Sequence, residues 1–229
     1  MSAPSRLLLK LSGGAFKGEE GAFSPVSIRR ITEQITSLGS IELGIVIGGG
    51  NIIRGAKSPW LDRIEADTLG MLATVLNGLA LRSYIERSGR EAIVQSAVST
   101  ELTEPISPQK ARRALANGQI VIFVGGTGNP LVTTDTAAAI RAISIGATLL
   151  VKGSNVPGVF TEDPSTGRDP RLLPEVSFEE FITHRYGVMD LVAVQICREH
   201  NLPIIVFDLE EEGAWQAIAQ GKTVGTLIH

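Results

Sequence analysis

The sequence predicts an α/β fold, a three-layer sandwich with a mainly parallel central sheet. Short apolar runs of four to six residues alternate along the chain with amphipathic segments, as in a parallel sheet covered by helices on both faces. The 229 residues are 43% hydrophobic and 20% charged, which is typical of a globular protein with a sizeable core. No repeat, low-complexity tract or long polar linker divides the chain. We therefore expect a single domain over residues 1–229.

The predicted strands are the short runs that are apolar on both faces. In chain order they are Arg6–Leu11, Leu43–Ile47, Ala92–Ala97, Ile120–Val124, Thr148–Val151 and Ile204–Phe207. Apolar residues at spacings of three and four predict helices over Pro25–Leu38, Asp67–Ser88, Pro108–Asn117, Thr134–Ile145, Asp190–His200 and Gly213–Gln220. Ser24 is the predicted N-cap of the first helix, and Gly39 and Gly89 are predicted stops. One stripe of the longest helix is predicted as either core or subunit interface: Leu69, Leu72, Leu76 and Leu79.

Composition and charge exclude several classes of function. A net charge of −3 argues against general affinity for nucleic acid. The single cysteine, Cys197, excludes an internal disulfide and a cysteine-based zinc cluster, and the three histidines are too scattered to form a metal site. No apolar stretch approaches the roughly 18 residues of a membrane span. Residues 1–4 lack the features of a signal peptide, so we expect a cytoplasmic protein.

Glycine-rich loops follow the first two predicted strands. In a parallel sheet, ligands bind outside the carboxyl ends of the strands. Ser12–Gly14 follows the first strand, with Lys10 at its end; small residues let backbone amides approach a phosphate, although a plain glycine turn with a surface lysine is the alternative. Gly48–Gly50 follows the second strand. Three successive glycines exceed the need of a turn and indicate space for a ligand, which Arg54 is placed to grip with its planar guanidinium.

Two later loops extend this pattern. Residues 125–130 lead to Thr133 and Thr134 at a helix start, where hydroxyls and free amides favour an anion, although an N-cap alone is the alternative. Lys152 begins a loop that supplies a hydroxyl, an aromatic ring and a carboxylate. Lys10, Arg54 and Lys152 would then line a polyanion pocket in an acidic protein. Two phosphorylated substrates facing one another would explain such a pocket.

Several blocks, in order along the chain, resemble the bacterial uridylate kinases (UMP kinases) of the amino acid kinase family. These blocks are Lys10–Gly13, Val46–Gly55, Ala66–Thr74, Gly126–Pro130 and Thr134–Asp135. The resemblance runs from about Arg6 to Ile228. It implies transfer of the γ-phosphoryl group of Mg-ATP to UMP, in pyrimidine nucleotide biosynthesis. It also implies a homohexamer that responds to GTP and UTP.

The resemblance also implies site residues, position by position. The residues matched to ATP are Lys10, Leu11, Ser12, Gly13, Gly50, Arg54, Ser154, Phe160 and Asp163, the last three receiving the adenosine. The residues matched to UMP are Gly49, Asp67, Thr127, Gly128, Asn129, Thr133 and Thr134, with Asp67 accepting from ribose hydroxyls.

We assign catalytic roles to three residues. Lys10 and Lys152 neutralise charge on the transferring group, and Asp135 orients both lysines and a magnesium ion. The UMP phosphate is itself a nucleophile at neutral pH, so no general base is expected. The chain has Asn155 and Pro157 where the family usually has lysine and aspartate. This departure leaves open a non-catalytic anion-binding or storage protein on the same fold, and a kinase for another small phosphate or carboxylate is a third reading.

Overall fold

The computed structural model describes residues 3–19, 21–53, 60–164, 166–167 and 169–229. Its strands are β1 (Arg6–Leu11), β2 (Glu42–Ile47), β3 (Ala92–Ser96), β4 (Glu104–Pro105), β5 (Ile120–Val124), β6 (Leu149–Ser154), β7 (Val159–Phe160), β8 (Leu172–Leu173), β9 (Glu175–Val176), β10 (Ile204–Asp208) and β11 (Thr226–Ile228). Its α-helices are α1 (Pro25–Ser37), α2 (Arg63–Arg87), α3 (Pro108–Ala116), α4 (Thr134–Ile145), α5 (Phe178–His184), α6 (Leu191–Glu199) and α7 (Ala214–Ala219). A short 3₁₀ helix covers Gly13–Phe16.

Nine of these strands form one sheet in the order β4-β3-β5-β2-β1-β6-β10-β11-β9. Neighbouring strands run parallel, except that β10 and β11 are antiparallel. Strands β7 and β8 pair separately. The predicted α/β fold with a mainly parallel central sheet is therefore confirmed.

Two apolar clusters cover the two faces of the sheet. In β1, Leu7 and Leu9 belong to one cluster and Leu8 to the other, because successive side chains of a strand alternate between faces. Helices α1, α2 and α7 pack on the first face. Helices α3 to α6 pack on the second. This arrangement is the predicted three-layer sandwich.

The order of the central strands creates a crevice at one edge of the sheet. Strand β1 pairs with β2 on one side and with β6 on the other, in parallel register. The chain therefore leaves the carboxyl end of β1 toward one half of the sheet and returns later to build the other half. Ligands of open α/β sheets bind at such a switch point, outside the carboxyl ends of the strands.

Helix starts follow the capping chemistry that the sequence indicates. The hydroxyl of Ser24 accepts a hydrogen bond from the amide of Ser27 at 3.1 Å, and Pro25 opens α1. Helix α2 begins at Arg63, four residues before the predicted Asp67, because Asp62 caps it by accepting from the amides of residues 64 and 65. Helix α5 was not predicted from the sequence.

Of the four leucines in the predicted stripe of α2, Leu79 packs against the core and the other three do not. Leu69, Leu72 and Leu76 are 41%, 47% and 53% exposed. At Gly78 the helix lies too close to the sheet for a side chain, because a Cβ there would lie 2.4 Å from Cγ1 of Val124, whereas Leu81 and Ile85 fill the buried face one and two turns later. The core alternative for these three leucines is therefore wrong.

The expectation that no apolar stretch approaches the length of a membrane span is wrong for helix α2. Its 25 residues include an 18-residue window of mean hydropathy 1.2, which is long and apolar enough to cross a membrane by length and composition alone. In this fold the helix packs on β3 and β5, with Leu81 and Ile85 fully buried. Packing on the sheet therefore accounts for the part of the window that is buried, which is 39%.

Candidate active site

The loops after β1 and β2 pack against each other backbone to backbone. A Cβ at Gly13 would lie 2.5 Å from the amide nitrogen of Gly50 and 2.8 Å from the carbonyl oxygen of Gly48. A Cβ at Gly49 would lie 2.4 Å from the carbonyl oxygen of Gly70 in α2. Contact with the protein's own backbone thus requires Gly13 and Gly49 to lack a side chain, and the space for a ligand expected from the glycine run stays a prediction. The loops and α2 are consequently held together at the crevice.

Two lysines face each other at the carboxyl ends of the central strands. Lys10 of β1 and Lys152 of β6 are register partners on adjacent parallel strands, so both side chains leave the same face. Asp135, in the first turn of α4, lies between them: its Oδ1 is 2.8 Å from Nζ of Lys10 and its Oδ2 is 2.5 Å from Nζ of Lys152. All three residues are less than a tenth exposed. The three predicted catalytic residues therefore form one centre with a net charge of +1.

Burial and charge shift two of these groups in opposite senses. Burial by itself would raise the pKa of Asp135, but the charges of Lys10 and Lys152 outweigh it and lower that pKa to about 2. Burial and the neighbouring Lys10 charge lower the pKa of Lys152 to about 8, against the opposing effect of Asp135. At neutral pH the centre is two ammonium groups around one carboxylate. It is arranged to receive a further negative group.

Asp190 is a functional candidate that sequence reasoning missed. Its Oδ2 accepts hydrogen bonds from the hydroxyls of Thr133 (2.6 Å) and Thr136 (2.8 Å), and its amide lies 3.3 Å from Oδ2 of Asp135. The sequence places Asp190 at a helix start, and it does cap α6. Only the fold shows that this cap also joins α6 to the start of α4.

The residues matched to UMP lie around the start of α4 and the nearby end of α2. The carboxylate of Asp67 accepts from Nε of Arg63 at 2.9 Å and from the amide of Leu131 at 2.9 Å. It thereby joins α2 to the loop of residues 125–133. In that loop the hydroxyl of Thr127 accepts from the amide of Asn129 at 3.3 Å, and Gly128 adopts a φ of +84° that disfavours other residues. Thr133 caps α4 by accepting from the amide of residue 136.

A pair of side-chain amides supports the loop after β2, and sequence reasoning missed it too. Nδ2 of Asn77 donates to the carbonyl of Gly48 (2.7 Å) and to Oδ1 of Asn51 (2.8 Å). Nδ2 of Asn51 donates in return to Oδ1 of Asn77 and to the carbonyl of Ala22. Asn77 is fully buried, and the two bonds that its side-chain nitrogen donates use both of that nitrogen's N–H groups. The pair fixes the glycine loop to α2.

A cavity of about 500 Å³ lies on the β6 side of the lysine centre. It is lined by Phe160 and Asp163, two of the residues matched to adenosine. It is also lined by Val188, whose carbonyl accepts from Nζ of Lys152 at 2.6 Å. Ser154, at the end of β6, accepts from the amide of residue 156. Arg54 lies outside the described residues.

The sheet order separates the two predicted substrate sites. The residues matched to UMP belong to the loops after β2 and β5 and to α2, whereas those matched to adenosine follow β6. Because the order is β5-β2-β1-β6, Lys10 and Lys152 lie between the two groups. The geometry thus allows two phosphorylated molecules to meet at the lysines.

Comparison with known proteins agrees with this geometry. The model of the amino acid kinase family matches residues 5–208. The chain is 44% identical to the uridylate kinase of Pseudomonas aeruginosa strain PAO1, in an alignment covering 97% of this chain and 94% of that protein. It is 43% identical to the uridylate kinase of Alcanivorax borkumensis, covering 98% of this chain and 91% of that protein.

Solved structures give the same result. The UMP kinase of Bacillus anthracis superposes with a TM-score of 0.94 at 37% identity, covering 99% of this chain and 96% of that one. The UMP kinase of Ureaplasma parvum superposes with a TM-score of 0.91 at 33% identity, covering 98% of each chain. The chain therefore belongs to the amino acid kinase family. Within that family it groups with the uridylate kinases, so the resemblance drawn from its motifs is confirmed.

Proposed function

We propose that the chain transfers the γ-phosphoryl group of ATP to UMP, giving UDP and ADP, a step of pyrimidine nucleotide biosynthesis. The observation that carries this proposal is the centre of Lys10, Asp135 and Lys152 between the two predicted nucleotide sites. An oxygen of the UMP phosphate attacks the γ-phosphorus. A new P–O bond forms, and the bond from the γ-phosphorus to the β–γ bridging oxygen breaks, leaving ADP.

The protein contributes position and charge rather than a covalent intermediate. Phosphoryl transfer spreads negative charge over the equatorial oxygens of the transferring group, and fixed cations stabilise that charge. We assign this role to the ammonium groups of Lys10 and Lys152. Asp135 holds both lysines in place, and its carboxylate opposes the burial that lowers the pKa of Lys152.

We propose that Mg²⁺ enters with ATP as part of the donor substrate. Both oxygens of Asp135 are engaged by lysines, and the carboxylate of Asp190 accepts from Thr133 and Thr136. These carboxylates keep further acceptor sites, so the Mg²⁺ role expected for Asp135 stays a prediction. Mg²⁺ commonly keeps phosphate and water ligands, which ATP and solvent supply.

A coupled assay of ADP release tests the function. With UMP and Mg-ATP we expect steady turnover, and with CMP, AMP or GMP as acceptor we expect much slower turnover. No turnover above background with UMP would contradict the proposal and would favour the storage alternative. Faster turnover with CMP, AMP or GMP than with UMP would identify that nucleotide as the acceptor substrate instead. Among the residues that the structure describes, no contact favours either alternative over UMP phosphorylation.

The activity should depend on the ammonium form of Lys152. Since kcat/KM reports the free enzyme, we expect kcat/KM for ATP to fall as pH rises through about 8. Stability should change in the opposite sense. Between pH 8 and 10.5 the unfolded chain holds more protons at this lysine than the folded chain, so the free energy of unfolding rises with pH.

The variant Lys152→Arg is the control for this pH dependence. A guanidinium stays charged throughout this range, so the fall in kcat/KM near pH 8 should disappear even if the overall rate is lower. The measurement is a pH–rate profile of both proteins. An unchanged fall in the arginine variant would mean that another group titrates.

We also propose, from the family resemblance, a cytoplasmic homohexamer that responds to GTP and UTP. The exposed leucines of α2, Leu69, Leu72 and Leu76, support a subunit interface, because contiguous exposed apolar side chains mark interaction surfaces. Light scattering of the purified protein measures its mass, and a monomeric mass would contradict the proposal. Initial rates with added GTP or UTP test the effector response.

A further inference from the structure

Three aromatic rings line the cavity beside Lys152. Phe160 comes from β7, and His184 and Tyr186 come from the end of α5 and the turn that follows it. The rings of His184 and Tyr186 are stacked, with centroids 5.5 Å apart and planes 12° from parallel. The loop from Asn155 to Gly158 brings no charged side chain to this cavity. Glu162, Asp163 and Arg185 also line the cavity, so a ligand base there would meet charged side chains beside the aromatic surface that the three rings supply.

The stacked pair is held rigidly by the fold. The ring of Tyr186 contacts Phe181 edge-on at 5.6 Å, and Phe181 is fully buried in the core. Nδ1 of His184 lies 3.0 Å from the carbonyl oxygen of Glu180, one turn earlier in α5. Arg185, between the two rings, adopts a left-handed φ of +53° that ends the helix. This turn places the rings of residues 184 and 186 against each other.

The cavity has the size and position of a base-binding site. Its volume of about 500 Å³ lies within the range of small-molecule pockets. Val188 lines it and also accepts a hydrogen bond from Nζ of Lys152. A nucleotide with its base in the cavity would thus extend its phosphates toward the lysine centre. Bases stack favourably on aromatic rings that the protein holds in place.

We propose that Tyr186, supported by His184, binds the purine base of the phosphate donor and sets its preference over pyrimidine donors. This inference rests on the proposed function, because it assigns the donor side of the same crevice. A purine presents a larger ring face than a pyrimidine and gains more from stacking. Tyr186 should therefore contribute more to ATP binding than to CTP binding.

The test compares Tyr186→Leu, which removes the ring, with Tyr186→Phe, which keeps it. Calorimetry of ADP binding without UMP should show affinity about tenfold weaker in the leucine variant and within about twofold of wild type in the phenylalanine variant. KM for ATP should rise by a similar factor, while KM for UMP stays within about twofold. The ratio of kcat/KM for ATP to that for CTP should fall.

Two further variants control for folding and for ring loss in general. Tyr84→Leu removes a ring of α2 that lies away from the cavity and stacks under Arg87, so donor binding should not change. His184→Ala removes the exposed member of the stack and should weaken ADP binding several-fold even where Tyr186→Leu proves unstable. Wild-type ADP affinity in both Tyr186→Leu and His184→Ala would overturn the inference while leaving UMP phosphorylation intact. Ring-dependent ADP binding without turnover of UMP would overturn the proposed function instead.

Discussion

Replacing Asp135 by asparagine is expected to lower the free energy of unfolding by about 3–5 kcal/mol at neutral pH. The carboxylate is the counter-charge for two buried ammonium groups, at 2.8 Å from Lys10 and 2.5 Å from Lys152. An amide of the same shape leaves both lysines without that charge. Removing one partner of a buried ionic group costs far more than removing the whole group.

The pH dependence of this loss identifies its cause. The deficit of Asp135→Asn should shrink as pH rises above the pKa of Lys152, about 8, because a neutral amine needs no counter-charge. Urea denaturation of both proteins at neutral and alkaline pH measures it. The matched control is Asp169→Asn, which breaks an exposed pair with Arg171 at 3.1 Å and should cost less than about 1 kcal/mol. Equal losses in the two variants would show that Asp135 has no special role.

Replacing Lys10 by alanine is expected to lower kcat by about 10² to 10³-fold, with a much smaller change in KM. The ammonium group interacts most strongly with the transferring phosphoryl group in the transition state, where negative charge is spread over its oxygens. The fold should tolerate this change. The charge of the centre falls from +1 to 0, the remaining pair of Asp135 and Lys152 is neutral, and the repulsion between the two lysines disappears.

Steady-state kinetics with UMP and Mg-ATP, together with thermal unfolding, check this expectation. Lys222→Ala is the matched control, because Lys222 is exposed in the turn after α7 and its loss should change neither rate nor stability. An unchanged kcat for Lys10→Ala would remove Lys10 from the mechanism. A variant that loses both activity and folding would assign Lys10 a structural role.

The strands were predictable because a parallel sheet covered on both sides demands apolar residues in unbroken runs. Strand β1 and helix α4 were predicted with the bounds that the structure gives them. Lys10 and Lys152 followed from the same reasoning, since each lies at the end of such a run, whereas Asp135 received its catalytic role only with the family resemblance. Their shared edge is a consequence of parallel pairing, which brings the ends of β1 and β6 together.

Contacts between distant segments could not be predicted from the sequence. Its pattern assigns the leucine stripe of α2 to a core or an interface, but only the fold shows that Leu69, Leu72 and Leu76 are exposed and that Gly78 lies against the sheet. The sequence predicts Asn77 only as a residue of a helix, and the fold places it against Asn51. It predicts Asp190 only as a helix cap, and the fold brings that cap to the start of α4. Tyr186 has no motif around it and acquires a possible ligand only through its place in the cavity.

The sequence by itself determined the layers of this protein, the order of its chemically distinctive loops and its family, because these depend on the local run of residue types. The tertiary structure decided which side chains meet: the two lysines around one carboxylate, the paired asparagines and the stacked rings near Lys152. Such meetings depend on strand register and on the distance between packed elements. Those quantities arise from the whole chain and from no single segment of it.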